Sequence, residues 1–248
     1  MGKSSKSNER RARIEELERQ RKRDERRRML MFSGVIGLVA LVIIGIVGYE
    51  LITRAQEQQA IEETNFAQFG VAESAAGCTP VQESPASGGA DHVNPPQRIQ
   101  YDQAPPSSGA HYPEWAGFDR KFYTTEDRPP VEMLVHNLEH GYNILWYDET
   151  VANDEQALAE IERLASKFEG SERDPDNAFI AAPWTAEDGG EFPDGKHIAL
   201  THWYADPDTG ENEKGVTRYC EQMSGAVVAD FMAEWDQSEA REGGAGFL

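Results

Sequence analysis

Charge is missing from one stretch of this chain: no Asp, Glu, Lys or Arg occurs from Met29 to Tyr49. Those 21 residues would span roughly 31 Å as a helix, about the thickness of a bilayer's hydrocarbon core. The run also lacks the polar face that a soluble core helix carries at period 3.6, so a membrane span is expected. It is longer than a signal-peptide core and no convincing small-residue cleavage site follows it. The span therefore reads as an uncleaved anchor.

Other absences narrow the chemistry. The chain has no nucleophile elbow, no phosphate-binding loop and no dinucleotide fingerprint, so it offers no sequence basis for the enzymes built on those devices. It has no internal repeat. Cysteine is limited to Cys78 and Cys220. In an oxidising compartment the simplest reading of such a pair is one disulfide closing a long loop, and the alternative is two free thiols.

Charge itself is divided unevenly. Residues 1–28 hold twelve Lys or Arg against six acids, a net +6, while the whole chain carries −20, which leaves −26 for everything after residue 28. Arg26, Arg27 and Arg28 abut one end of the span, whereas Glu50 and a lone Arg54 follow the other. The positive-inside rule then keeps the N-terminus in the cytoplasm and sends the acidic remainder across the membrane. Topology control and attraction to anionic headgroups in the lipid bilayer account for the basic arm, and no nucleic-acid partner is expected.

Composition divides the rest. Residues 1–28 form the basic arm, 29–49 the span, 50–75 a helical stalk and linker, 76–236 the folded domain and 237–248 a flexible tail. The Ala-, Gly-, Ser- and Pro-rich stretch 70–91 reads as linker running into the domain. Pro129 and Pro130 open a short helix over 131–139 that Gly141 can end. Strands are expected over 142–147, 178–182 and 197–204. Helices are expected over 154–168, with Leu158, Ile161, Leu164 and Phe168 inward, and over 226–235. The fold class is α+β: one transmembrane helix followed by a small mixed α/β extracytoplasmic domain.

Histidine is absent from the first 91 residues, and then four of the six fall within the next 49. His92 and His111 sit in Gly- and Pro-rich segments; His136 and His140 share His-Asn-Leu-Glu-His-Gly. On a helix i and i+4 face the same way, so both imidazoles can reach one ion. Neutral imidazole suits zinc or copper, and Met133, on that face too, would favour copper. The competing reading is structural, with the rings bonding backbone at a helix-to-strand junction. His197 and His202 read as packing or surface residues. The segment also fits the inverted zinc-protease pattern H-x-x-E-H, with Glu139 as general base. Such proteases carry it mid-helix in larger domains with a further acidic ligand, whereas here Gly141 follows at once.

Two of these segments, Pro-Pro-Ser-Ser-Gly-Ala-His at 105–111 and His-Asn-Leu-Glu-His-Gly at 136–141, together with Tyr101 before them and Trp146-Tyr147 after, carry a family likeness. The chain resembles a bacterial family common in actinobacteria, domain of unknown function 3105, over roughly residues 76–236. Its members share the layout of basic arm, span and domain, with Pro often at the place of Ala110 and a small hydroxyl residue at that of Asn137. The resemblance implies that His92, His111, His136 and His140 form one constellation; it implies no activity.

Three functions follow as expectations. The first is a non-catalytic accessory or assembly subunit, docking on membrane-protein partners in a cell-envelope complex. A respiratory complex of cytochrome and oxidase subunits is the partner that the lineage suggests. The second is a zinc- or copper-binding protein using His92, His111, His136 and His140. The third is a zinc hydrolase with Glu139 as base.

Overall fold

In the computed structural model, which describes residues 3–87, 91–170 and 177–243, the chain divides into two units, Met1–Glu57 and Gln58–Leu248. Helix α1, Lys3–Glu63, is continuous through the basic arm, the uncharged run and most of the expected stalk. Its large apolar side chains from Met29 to Ile52 are exposed. Among the described residues this is the one helix long and apolar enough to cross a membrane.

The second unit is built on a five-stranded mixed sheet in the order β1-β5-β4-β2-β3. The strands are β1 (Gln82–Pro85), β2 (Asn143–Tyr147), β3 (Phe179–Pro183), β4 (Ile198–Tyr204) and β5 (Lys214–Cys220). β2 pairs in parallel with β3 and antiparallel with β4, and the pairs β4/β5 and β5/β1 are antiparallel. Side chains alternate across a strand, so the buried run of β2 feeds two cores at once. Leu145 and Tyr147 join Phe179, Leu200, Val216 and the helices α3 (Glu149–Ala152), α4 (Glu155–Ala165) and α5 (Gly225–Glu234). Ile144 and Trp146 face the other way, onto Trp203, Tyr219 and the helix α2 (Val131–Glu139).

Residues on either side of the expected 76–236 bounds also pack in the fold. Phe69 and Ala76, in the expected stalk and linker, are fully buried in the first core. Within the expected linker, Gly70 bridges Ser224 and β1 forms an edge strand. Past residue 236, Gln237–Glu239 makes a 3-10 turn and Ala240 bridges Tyr204, while 244–248 of the expected tail lie outside the described residues. Cys78 and Cys220 form a disulfide that closes 142 residues of sequence and ties the segment before β1 to the end of β5.

The end of α2 sets up the site. Gly141 adopts φ +84°, its N–H bonds the Leu138 carbonyl and the Tyr142 N–H bonds the Asn137 carbonyl. This is a Schellman cap, and it leaves His140 at the cap position, outside the helix proper. A Cβ on Gly141 would lie 2.4 Å from the Gln237 carbonyl oxygen, so the cap requires glycine twice over.

Candidate metal centre

Three pieces of backbone deliver the four donors. His136 and Glu139 project from the last turn of α2, where a spacing of three keeps them on one side. His111 ends the Pro-Pro-Ser-Ser-Gly-Ala-His loop, which is itself buried: Ser107 packs against Gly215 of β5, the Tyr101 hydroxyl donates to the Ala110 carbonyl at 2.8 Å, and Ser108 accepts from Ser87 N–H at 3.2 Å. His92 lies alongside in a short parallel bridge to His111, closed by Val93 N–H to His111 O at 2.8 Å and His111 N–H to Asp91 O at 3.2 Å.

The three rings converge. Centroids are 4.7 Å apart for His111 and His136, 5.0 Å for His92 and His111, and 5.3 Å for His92 and His136. One potential donor atom from each of His92, His111, His136 and Glu139 falls within 4.8 Å of all the others. His140 is outside this group: its ring stacks on His136 at 4.8 Å, and its Nδ1 is 3.7 Å from a Glu242 carboxylate oxygen. The structure thus brings together three of the four expected histidines, and Glu139 takes the place expected for His140.

Protonation follows from the hydrogen bonds. His111 Nδ1 lies 2.8 Å from the Gly109 carbonyl oxygen and His136 Nδ1 lies 2.6 Å from the Tyr112 carbonyl oxygen. A carbonyl only accepts, so both Nδ1 atoms carry protons and, in the neutral rings, both Nε2 atoms present lone pairs. Burial is the main cause that takes His136 down to about 4, and the neighbouring His111 and His140 add to it, so that ring is neutral at ordinary pH. Burial alone would raise Glu139, but hydrogen bonding to the His111 ring in its protonated form, with the charges of protonated His136 and of Arg241, outweighs it and holds the carboxyl below its usual range. Arg241 Nε sits 3.5 Å from Glu139 Oε1.

One contact stands out chemically. His111 Nε2 is 3.0 Å from Glu139 Oε2, with both side chains buried. A lone pair facing a carboxylate oxygen at that distance repels it; a positive centre between them, either a proton or a metal ion, removes the conflict. A proton would satisfy that pair alone. The approach of two further imidazoles fits a metal ion, which accepts several lone pairs at once. Backbone carbonyls behind His111 and His136, and Arg241 behind Glu139, are the kind of outer contacts that fix ligand orientation in metal sites.

Three more residues frame the group. Trp115 packs edge-on against His136 and His140, at 5.2 and 5.1 Å. Its loop is fixed by buried Asn137, whose amide accepts from Ala116 N–H at 2.8 Å and donates to Ala116 O at 3.0 Å. Arg241 also pairs with Glu213 at 2.8 Å, and Glu242 N–H bonds the Glu139 carbonyl at 3.0 Å. Sequence reading passed over Trp115, Arg241 and Glu242. Trp115 lies between the two motifs, and the other two lie past the expected end of the domain.

The remaining histidines stand outside the donor group. His197 Nδ1 is 2.8 Å from Asp148 Oδ2 near the surface. His202 is fully buried on β4, and burial takes it down to about 4 against the opposing pull of backbone at Tyr142 and Glu239. A folded value below the unfolded one means that the unfolded chain binds the proton more readily. The stabilisation is therefore complete above about pH 6.5 and lost as pH falls toward 4, an effect of about 3 kcal/mol. Melting temperature measured across that window is expected to fall, and to fall less steeply in His202→Gln; equal slopes would contradict this.

A model of the family described as "Protein of unknown function (DUF3105)" matches residues 92–245, more than half of the chain, from His92 through the Arg241–Glu242 segment. No curated protein and no solved structure matches the chain.

Proposed function

The chain belongs to the DUF3105 family, and from that premise we propose that its domain is a metal-holding module tethered to the outer face of a cell membrane. His92, His111, His136 and Glu139 are the donors to one divalent ion. The observation that carries this reading is the buried His111 Nε2 to Glu139 Oε2 approach at 3.0 Å, with two more imidazoles beside it. Three nitrogen donors and one carboxylate suit Zn²⁺ or Cu²⁺. The charge step across the apolar run supports an N-terminus in the cytoplasm, and the Cys78–Cys220 disulfide supports an oxidising location for the domain.

Glu139 separates this reading from hydrolysis. As a donor, Glu139→Gln loses the ion, because a neutral amide is a poor substitute for a carboxylate; as a general base, it would keep the ion and lose an activity. Metal content of Glu139→Gln in the full-length protein decides, with loss expected. Retention at the wild-type level would point to the H-x-x-E-H hydrolase, although the displacement of His140 from the donor group weighs against it.

Docking on a larger envelope complex, with cytochrome and oxidase subunits as the suggested partners, remains a second proposal. It rests on the anchored architecture and the lineage, whereas the metal reading rests on specific buried chemistry.

A further inference from the structure

The donors of the proposed site differ in access. His111, His136 and Glu139 are buried, while His92 is exposed. The buried three are held from behind by the Gly109 carbonyl, the Tyr112 carbonyl and the Arg241 guanidinium. The described hydrogen bonds to the His92 segment run through backbone, Val93 N–H to His111 O and His111 N–H to Asp91 O, while its ring packs beside those of His111 and His136. One edge of the group is walled by Trp115, which stands against His136 and His140. At 42 % exposure Trp115 is the one exposed large hydrophobic side chain among the described residues from Gln58 onward. Rigid buried donors, a single exposed donor and an aromatic wall make a cradle open on one side.

We propose, building on the metal reading above, that the ion is exchangeable cargo and that it enters and leaves across the His92 face, with His92 as the donor released first. The step is a ligand substitution. The bond from the ion to His92 breaks as a bond to an incoming imidazole nitrogen on the ion's carrier forms, the ion keeps its charge, and no electron moves. The −26 charge of the chain beyond residue 28 favours approach by free cations and by carriers with a basic rim.

Full-length protein in mild detergent, loaded with Cu²⁺ as the probe, tests this by absorption and paramagnetic resonance spectra and by the rate of copper loss to excess chelator. His92→Gly lies at an exposed position and is expected to fold and to bind copper with an altered spectrum. It is expected to lose copper faster than wild type by at least about tenfold, since removing even an outer contact of a metal ligand costs about that much in affinity and here a direct donor is gone. Free imidazole is expected to restore the wild-type spectrum and slow the loss in His92→Gly, and to leave buried His136→Gly unrestored. A His92→Gly protein that matches wild type in spectrum and release overturns the proposal, as does equal imidazole rescue of both variants. Wild-type protein that binds no copper would instead overturn the metal reading itself.

Discussion

Metal-stripped full-length protein is expected to melt well below the same protein saturated with Zn²⁺, and His136→Ala is expected to erase the difference. An ion present at a thousand times its dissociation constant stabilises the folded state by about 4 kcal/mol, which for a domain of this size raises the melting temperature by about 8–16 °C. His136 is the most informative place to break the site. Its ring is buried, its Nδ1 is committed to Tyr112, and burial keeps it neutral, so its lone pair has no competing proton at ordinary pH. Removing it leaves His111 and Glu139 facing one another with a donor missing. An equal zinc-induced rise in the variant, or no rise in wild type with zinc or copper, would contradict the assignment.

Loss of the disulfide is expected to have an effect of similar size. In the chain-entropy model a bond closing 142 residues stabilises by about 5 kcal/mol, or about 10–20 °C in melting temperature. The local structure says where the loss falls. Strand β1 is an exposed edge held by β5, and Cys78 sits just before it, near the Thr79 N–H to Tyr219 O bond at 2.8 Å. Without the bond, β1 and the chain leading toward His92 depend on backbone pairing at one sheet edge. The variant Cys78→Ala/Cys220→Ala keeps the buried Cys220 position apolar and isolates the crosslink. A fall of less than about 3 °C, on the order of 1 kcal/mol for a domain of this size, would contradict the account.

The parts of the fold that were legible in the sequence are those with an unambiguous period or a cap. Val131–Glu139 announced itself through Pro130 before and Gly141 after, and the strands through Trp146 and Trp203 through their apolar runs. β1 was not legible because all four of its residues are exposed, so it shows no alternation. β5 was obscured by Gly215 and by the charges of Lys214 and Arg218 among its buried positions. The stalk and linker hid core residues, since Phe69 and Ala76 lie in an Ala- and Gly-rich stretch with no helical or strand period and only packing reveals them.

The candidate site was half legible. The convergence of His92, His111 and His136 was expected from the family resemblance, and their closeness in sequence from the scarcity of histidine elsewhere, but the choice between Glu139 and His140 was not visible. Both lie near His136 on a helical wheel, at i+3 and i+4. The deciding feature is the Schellman cap, which ends α2 at Glu139 and leaves His140 stacked beside His136 with its Nδ1 toward Glu242. The helix end at Gly141 was legible in the motif, but the place it gives His140 was not, because Glu242, toward which His140 Nδ1 turns, lies past the expected end of the domain.

The central claim is tested most directly by metal analysis of full-length protein purified in mild detergent, without chelator, from membranes grown with zinc and copper. The account predicts one zinc or copper ion per chain in wild type and loss of that ion in both His111→Ala and His136→Ala. Wild-type protein that carries no stoichiometric metal, or variants that carry as much as wild type, would contradict it.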